Sequence, residues 1–227
     1  MIGSLFFEVE GVLAGTVALR RAALVRALAE EGFAPSSRSE IELHSGGSTR
    51  ESVRRALRDQ RVASDETALT LIALRADRHF SALVHAGVSL APGARELVRH
   101  AIPSCRLAIV TGLERAMVDS LLSLAELDGA FEVIIAAEDV ALGKPAPDGY
   151  RKALERMSRR RPLDLRSALA LEPDALGARA ARAAGLRCAI VAPFRAESVP
   201  DADAMLGSLE GESLATLDAM LTTETAG

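Results

Sequence analysis

Acidic, hydroxyl and ammonium side chains follow directly on several short apolar runs of this chain. Glu8 and Glu10 come after Leu5 to Phe7, Thr111-Gly112 after Leu107 to Val110, and Glu172-Pro173-Asp174 after Ala168 to Leu171. Lys144 stands between Gly143 and Pro145. Carboxylates in such places can attack an electrophile, move protons or hold a cation. A hydroxyl beside backbone N–H groups at Gly112 and at the start of the next helix can hold an anion. Of the 27 basic residues 25 are arginine, and only Lys144 and Lys152 are lysine. A lysine kept in so arginine-rich a chain reads as a compact point charge at a place a planar guanidinium does not fit; its competing reading is a solvated loop cation. Lys152, four residues after Asp148 on a predicted helix, reads as a surface partner for that acid.

These residues come together only if the apolar runs lie side by side. The runs named above, with Val133 to Ala136 and Cys188 to Val191, have the length of buried strands. Between them, Glu114 to Leu124, Asp148 to Met157 and Ala175 to Ala184 carry apolar residues at helical spacing. The alternation predicts an α/β fold, a parallel sheet with helices on both faces, and such sheets bind ligands beyond the carboxyl ends of their strands. From Thr16 to Gly87 every segment reads as helix (Val17 to Glu31, Thr49 to Leu57, Asp65 to Val84). That stretch predicts an all-helical insertion over 16–87, with the sheet domain made of 1–15 and 88–227. The segment from Glu210 onward predicts one short helix and a frayed end.

Hydrophobic residues at 49% and charged residues at 26% are those of a globular chain, which excludes a disordered or fibrous protein. A net charge of -4, no basic half, and one tyrosine, six phenylalanines and no tryptophan argue against nucleic acid as a partner. No run approaches a membrane span and the first residues lack a signal-peptide pattern. Cys105 and Cys188 read as buried thiols of a reducing compartment, so a cytoplasmic location is expected.

Four ordered segments resemble the motifs of the haloacid dehalogenase-like (HAD) superfamily. They are Phe7-Glu8-Val9-Glu10-Gly11-Val12-Leu13, Val110-Thr111-Gly112, Gly143-Lys144-Pro145-Ala146-Pro147-Asp148, and Leu171-Glu172-Pro173-Asp174 with Gly177 to Gly185. The resemblance is to the phosphoglycolate phosphatase and β-phosphoglucomutase branch. It implies a Rossmann-like core, with the helical insertion as its cap, and phosphoryl transfer from a small phosphorylated metabolite through an aspartyl-phosphate. In that family a first aspartate attacks phosphorus and a second moves the proton. Magnesium is held by the nucleophile, the second residue's carbonyl and an acid of the fourth motif. The resemblance thus assigns catalytic roles to Glu8, Glu10 and Lys144, phosphate binding to Thr111, Gly112 and Lys144, and metal ligation to Glu8, Glu10, Glu172 and Asp174.

The departures sit on the chemistry. Glu8 and Glu10 replace both aspartates, Pro173 replaces a common metal ligand, and Gly15 replaces a further acid. Aspartate and glutamate differ by only about 0.4 unit in reference pKa, so ionisation is unaffected. The extra methylene moves each carboxylate by roughly 1.5 Å, and a misplacement of ~1 Å lowers rates by about 100-fold. Glu8 also gains the reach to enter the space of the substrate phosphate. Proline offers neither a carboxylate nor an N–H, so magnesium, which demands near-octahedral oxygen ligation, is expected to bind weakly or not at all.

Other candidates read more plainly. Gly46 to Glu51 resembles a substrate-contacting cap loop, which makes Arg50 a candidate substrate-binding residue, and reads equally as a helix start capped by Ser48 or Thr49. His44, His79, His85 and His100 lack metal-ligand spacing, and Arg159-Arg160-Arg161 reads as solvated charge. Two functions remain open: a magnesium-dependent phosphatase with weak or lost turnover, and an inactive HAD-fold protein that binds a phosphorylated ligand or a protein partner. A haloacid dehalogenase proper stands third, since it also needs the short aspartate.

Overall fold

The computed structural model describes residues 1–33, 48–62, 65–192 and 199–223. The apolar runs form β1 (Ser4–Phe7), β2 (Arg106–Val110), β3 (Val133–Ile135), β4 (Ala168–Glu172) and β5 (Arg187–Val191). A sixth strand, β6 (Ala204–Leu206), was not expected from the sequence; three residues with one exposed are too short a run to stand out. All pairings are parallel, in the order β3-β2-β1-β4-β5-β6.

Alternate residues of each strand face opposite layers. Leu5, Phe7, Leu107, Ile109, Leu169 and Leu171 pack with α4 (Ala94–Ala101), α5 (Arg115–Leu124) and α8 (Leu214–Thr223). On the other face Phe6, Ala108, Val110 and Ala170 pack with α6 (Asp148–Ser158) and α7 (Ala175–Ala183). Both faces are therefore covered, as a parallel sheet requires.

Between β1 and α4 lie α1 (Val17–Glu30), α2 (Thr49–Asp59) and α3 (Glu66–Ala86). They share an apolar cluster of their own, with Leu24, Leu28, Val53, Leu57, Leu69 and Ile72 at its centre. Ser48 caps α2 through Glu51 N–H at 3.2 Å, and Asp65 caps α3 through Ala68 N–H at 2.7 Å. The two segments joining these helices to the sheet are tied together. Gly15 N–H donates to Ser89 O at 3.0 Å and Ala91 N–H to Leu13 O at 3.0 Å.

Register places the site. Phe7 lies beside Ile109 on one side and Leu171 on the other, so Glu8 emerges level with Val110 and Glu172. The chain winds from β1 outward through β2 and β3, then returns to β4 on the opposite side of β1. The crevice created by that reversal is where open α/β sheets hold ligands.

Candidate functional site

The turn after β1 builds the centre. Leu13 N–H and Ala14 N–H both donate to Val9 O, at 3.0 and 2.9 Å, and Gly11 takes φ +77°, a conformation glycine adopts without strain. This turn aims the N–H groups of Val9 and Glu10 back at the Glu8 side chain. Glu8 Oε1 accepts from Val9 N–H at 2.7 Å, Glu10 N–H at 3.2 Å and the Thr111 hydroxyl. Glu8 Oε2 accepts from Lys144 Nζ at 2.6 Å. Two backbone N–H groups, a hydroxyl and an ammonium thus converge on one fully buried carboxylate.

Lys144 is likewise saturated. Its three ammonium protons go to Glu8 Oε2, to Glu172 Oε1, and to Val110 O at 3.0 Å. Burial disfavours its charge, but Glu172 and Glu8 outweigh this and hold its pKa above the usual lysine value. Glu172 Oε1 accepts from Lys144 and from the Tyr150 hydroxyl. Its Oε2 is buried without a hydrogen-bond partner among the described residues. Burial, opposed by Lys144 and reinforced by Glu8, pushes the Glu172 carboxyl up to about 8. A Cβ at Gly177 would overlap this carboxylate, so the first turn of α7 admits only glycine there.

Glu10 turns away from this group. Its Oε2 forms a buried ion pair with Arg20 of α1. Burial raises the Glu10 pKa, with Arg20 opposing and Glu8 adding to the rise. Arg20 also donates to Thr49 Oγ1 at 3.1 Å, and Thr49 donates to Asp77 of α3.

Of the residues singled out in the sequence, Glu8, Thr111, Lys144 and Glu172 meet. Gly112 borders two clefts beside them. Asp174 Oδ1 caps α7 through the N–H groups of Leu176 and Gly177, at 3.0 and 3.1 Å. Arg50 is exposed and ion-paired with Glu66 while lining one cleft. Lys152 does not pair with Asp148; its ammonium reaches the Asp139 carbonyl one turn away across the α6 surface. His79 contacts Glu30 at 3.0 Å, His85 its own helix, and Arg159 pairs with Glu155 at 2.6 Å. Gly46, Gly47 and His44 lie outside the described residues. Burial raises the thiol pKa of Cys105 to about 12 and raises that of Cys188 too, so both are inert.

Tyr150, Arg20 and Asp77 were not anticipated. Tyr150 is the chain's single tyrosine, six residues beyond Lys144. Arg20 falls on the buried face of α1 with Ala23, Leu24 and Ala27, and an arginine in register with an apolar stripe is the signal that was available. Asp77 carried no such mark.

The clefts lie between α2 and the strand-end loops. One, of about 610 Å³, is lined by Ser52, Arg54 and Arg55 on the helical side and by Thr111, Lys144 and Tyr150 on the sheet side. The other, of about 500 Å³, includes Arg20, Thr49, Asp77 and Glu114. They share Ser48, Gly112 and Ala137.

A family model for haloacid dehalogenase-like hydrolases matches residues 5–191. The chain belongs to that family. Within it the chain stands in the phosphoglycolate phosphatase and β-phosphoglucomutase-like branch. It is 34% identical over 232 residues to protein CbbY of Cereibacter sphaeroides, covering 96% of this chain and 97% of the relative. The crystal structure of CbbY from Rhodobacter sphaeroides in complex with phosphate aligns with TM-score 0.81 at 32% identity, covering 96% of this chain and 100% of that one. A variant of the same protein, in complex with xylulose-1,5-bisphosphate, aligns with TM-score 0.82 at 33% identity, covering 96% and 99%.

The HAD family generally uses magnesium, but the donors present here do not fit a divalent cation. Lys144 already bridges Glu8 and Glu172, both Glu8 oxygens carry donors, and Asp174 Oδ1 caps a helix. The Pro173 ring lies against Gly11, 3.0 Å from where a Cβ on that glycine would stand. Two carboxylate oxygens, Glu10 Oε1 and Glu172 Oε2, are buried without partners. They belong to the two acids of the site with raised pKa, so a proton, not a metal, is the simplest way to neutralise them. Among the described residues no group of three or more His, Cys, Asp or Glu is arranged to hold a metal ion. No described helix is long and apolar enough to cross a membrane.

Proposed function

We propose that this chain is a HAD-family protein that binds a small phosphorylated metabolite without turning it over at a native rate. The observation that carries the reading is the occupancy of the anion cradle by the chain's own Glu8. Phosphoryl transfer is mostly positioning plus electrostatic stabilisation. Here the Val9 and Glu10 N–H groups, the Thr111 hydroxyl and the Lys144 ammonium are all directed at an internal carboxylate. A carboxylate holding four donors is also a poor nucleophile, because its lone pairs are committed. Glu10, the residue expected to move the proton, is held by Arg20.

The ligand class follows from the relatives, whose structures contain phosphate and a sugar bisphosphate. In this chain such a ligand lies in the crevice between a helical cap (16–87) and the sheet domain (1–15 and 88–227). Ser48, Ser52, Arg50 and Arg55 border it from the cap and Gly112 from the sheet. Residual magnesium-dependent phosphatase activity is the second reading, favoured by the retained Thr111 and Lys144 and by the near full-length likeness to CbbY.

One experiment separates them. Purified protein is offered a panel of sugar and glycolyl phosphates with and without magnesium, with calorimetry on the same compounds. Binding without phosphate release supports the proposal; brisk, magnesium-stimulated release overturns it. In the combined variant Glu8→Asp, Glu10→Asp, Pro173→Asp, calorimetric magnesium binding and measurable release are expected to appear together.

A further inference from the structure

We infer that Glu10, Arg20, Thr49 and Asp77 form a latch that holds the helical cap against the sheet domain. The inference stands apart from the question of turnover, since it concerns the position of the cap and not the fate of phosphorus.

The four side chains make one continuous polar path across the boundary. Glu10 belongs to the turn after β1, Arg20 to the first turns of α1, Thr49 to the start of α2 and Asp77 to the middle of α3. The Glu10–Arg20 pair is almost wholly buried, with side-chain exposures of 1% and 8%. Arg20 uses its planar fork to join two elements at once: NH1 meets Glu10 and NH2 meets Thr49 at 3.1 Å. Thr49 passes the contact on to Asp77. Each cap helix therefore has one member in a chain anchored on the sheet domain by a single carboxylate.

The linkers alone do not fix the cap. They amount to two extended segments joined through Gly15 to Ser89 and Leu13 to Ala91, and α3 ends at Gly87, whose φ is +144°. A two-stranded joint of this kind restrains twisting but permits bending, so a contact ahead of it must set the angle. The clefts lie on the far side of the latch from the joint, between α2 and residues 111–117 and 137–149. Releasing the latch opens them.

Burying an ion pair is costly for each partner, and losing one partner leaves the other uncompensated. The cap then gains more by swinging outward and hydrating the orphan than by staying closed. An aspartate at position 10 is one methylene shorter, so the longer glutamate reaches Arg20 where the shorter acid would fall short. On this view Glu10 is a lengthened tether.

Hydrogen exchange followed by mass spectrometry on the full chain tests this. In Glu10→Gln and in Arg20→Met, amides of residues 111–118 and 143–149 should exchange about tenfold or more faster than in the wild type, while strand amides in β1, β2 and β4 keep their rates. Thr49→Val, which alters only the cap end of the path, should give a smaller increase in the same segments. Unchanged exchange in the cleft segments would overturn the latch. So would a uniform increase that includes the strands, since that is the signature of a pair that only stabilises the fold.

Discussion

Removing the Glu8 side chain is the most direct test of the filled cradle. In Glu8→Ala, the N–H groups of Val9 and Glu10, the Thr111 hydroxyl and one Lys144 proton lose their acceptor. Each buried donor left unpaired costs about 1–3 kcal/mol. The loss is moderated because Thr111 and Lys144 line a cleft that admits water, and because Lys144 keeps Glu172 and Val110. A net destabilisation of about 3 kcal/mol follows, which in a chain of this size lowers the melting temperature by roughly 6–12 °C. The same four donors then form a vacant oxyanion site. Inorganic phosphate at about 100 times its dissociation constant would return roughly 2.7 kcal/mol, most of what was lost. The assay is thermal melting of wild type and Glu8→Ala across a phosphate titration, with acetate as a smaller anion. The variant should climb saturably toward the wild-type melting temperature while the wild type barely moves. If phosphate shifts both proteins equally, or if Glu8→Ala melts within a degree of wild type, Glu8 does not fill an anion cradle.

Two further outcomes follow from the neighbouring acid. Gly177→Ala should destabilise by about 1–3 kcal/mol in urea unfolding, because the added methyl meets the Glu172 carboxylate; the loss should shrink in a Glu172→Ala background, and simple additivity would count against the contact. The Glu172 carboxyl, pushed up to about 8 from an ordinary glutamate value near 4.5, binds its proton more tightly in the folded than in the unfolded chain. Its contribution to stability is therefore present below about pH 4.5 and is lost as pH rises through 8. Glu10 acts in the same direction, so the readout is a difference: the fall in urea midpoint between pH 5 and 8 should be shallower in Glu172→Gln than in wild type, and superimposable profiles would refute it.

How much of this was legible in the sequence depends on what each residue does locally. The five longer apolar runs were readable as strands because a strand buried on both faces needs continuous apolar sequence. β6 was not, since Ala204–Leu206 takes its place from pairing with β5 and not from its own composition. The meeting of Glu8, Thr111, Lys144 and Glu172 followed from strand-end position once a parallel sheet was assumed. What each one touches did not follow. Glu8 was readable as too long for attack, and its reach toward the phosphate space was readable as geometry. That both its oxygens would be taken up by the turn itself depends on the backbone of Val9 and Glu10, which no side-chain pattern encodes. Asp174 shows the same limit: an acid two residues after a strand and just before a helix serves equally as metal ligand or N-cap, and only the direction of α7 decides. Arg20 lies at the opposite extreme. Its register on α1 marks it as buried, and a buried arginine requires an acid, but which acid depends on how the insertion folds back over the turn after β1.

The two lengthened carboxylates, alike in sequence, therefore do unlike things. Glu8 bends into its own turn and fills an anion site, whereas Glu10 extends outward and ties a second layer of helices to the sheet. Both consequences require the extra methylene, because an aspartate at either position has a shorter reach. The same substitution that misplaces a nucleophile thus supplies a plug at one position and a tether at the other. Pro173 is consistent with this arrangement: packed against Gly11, it leaves the turn between those two acids no room for a ligand from the fourth motif.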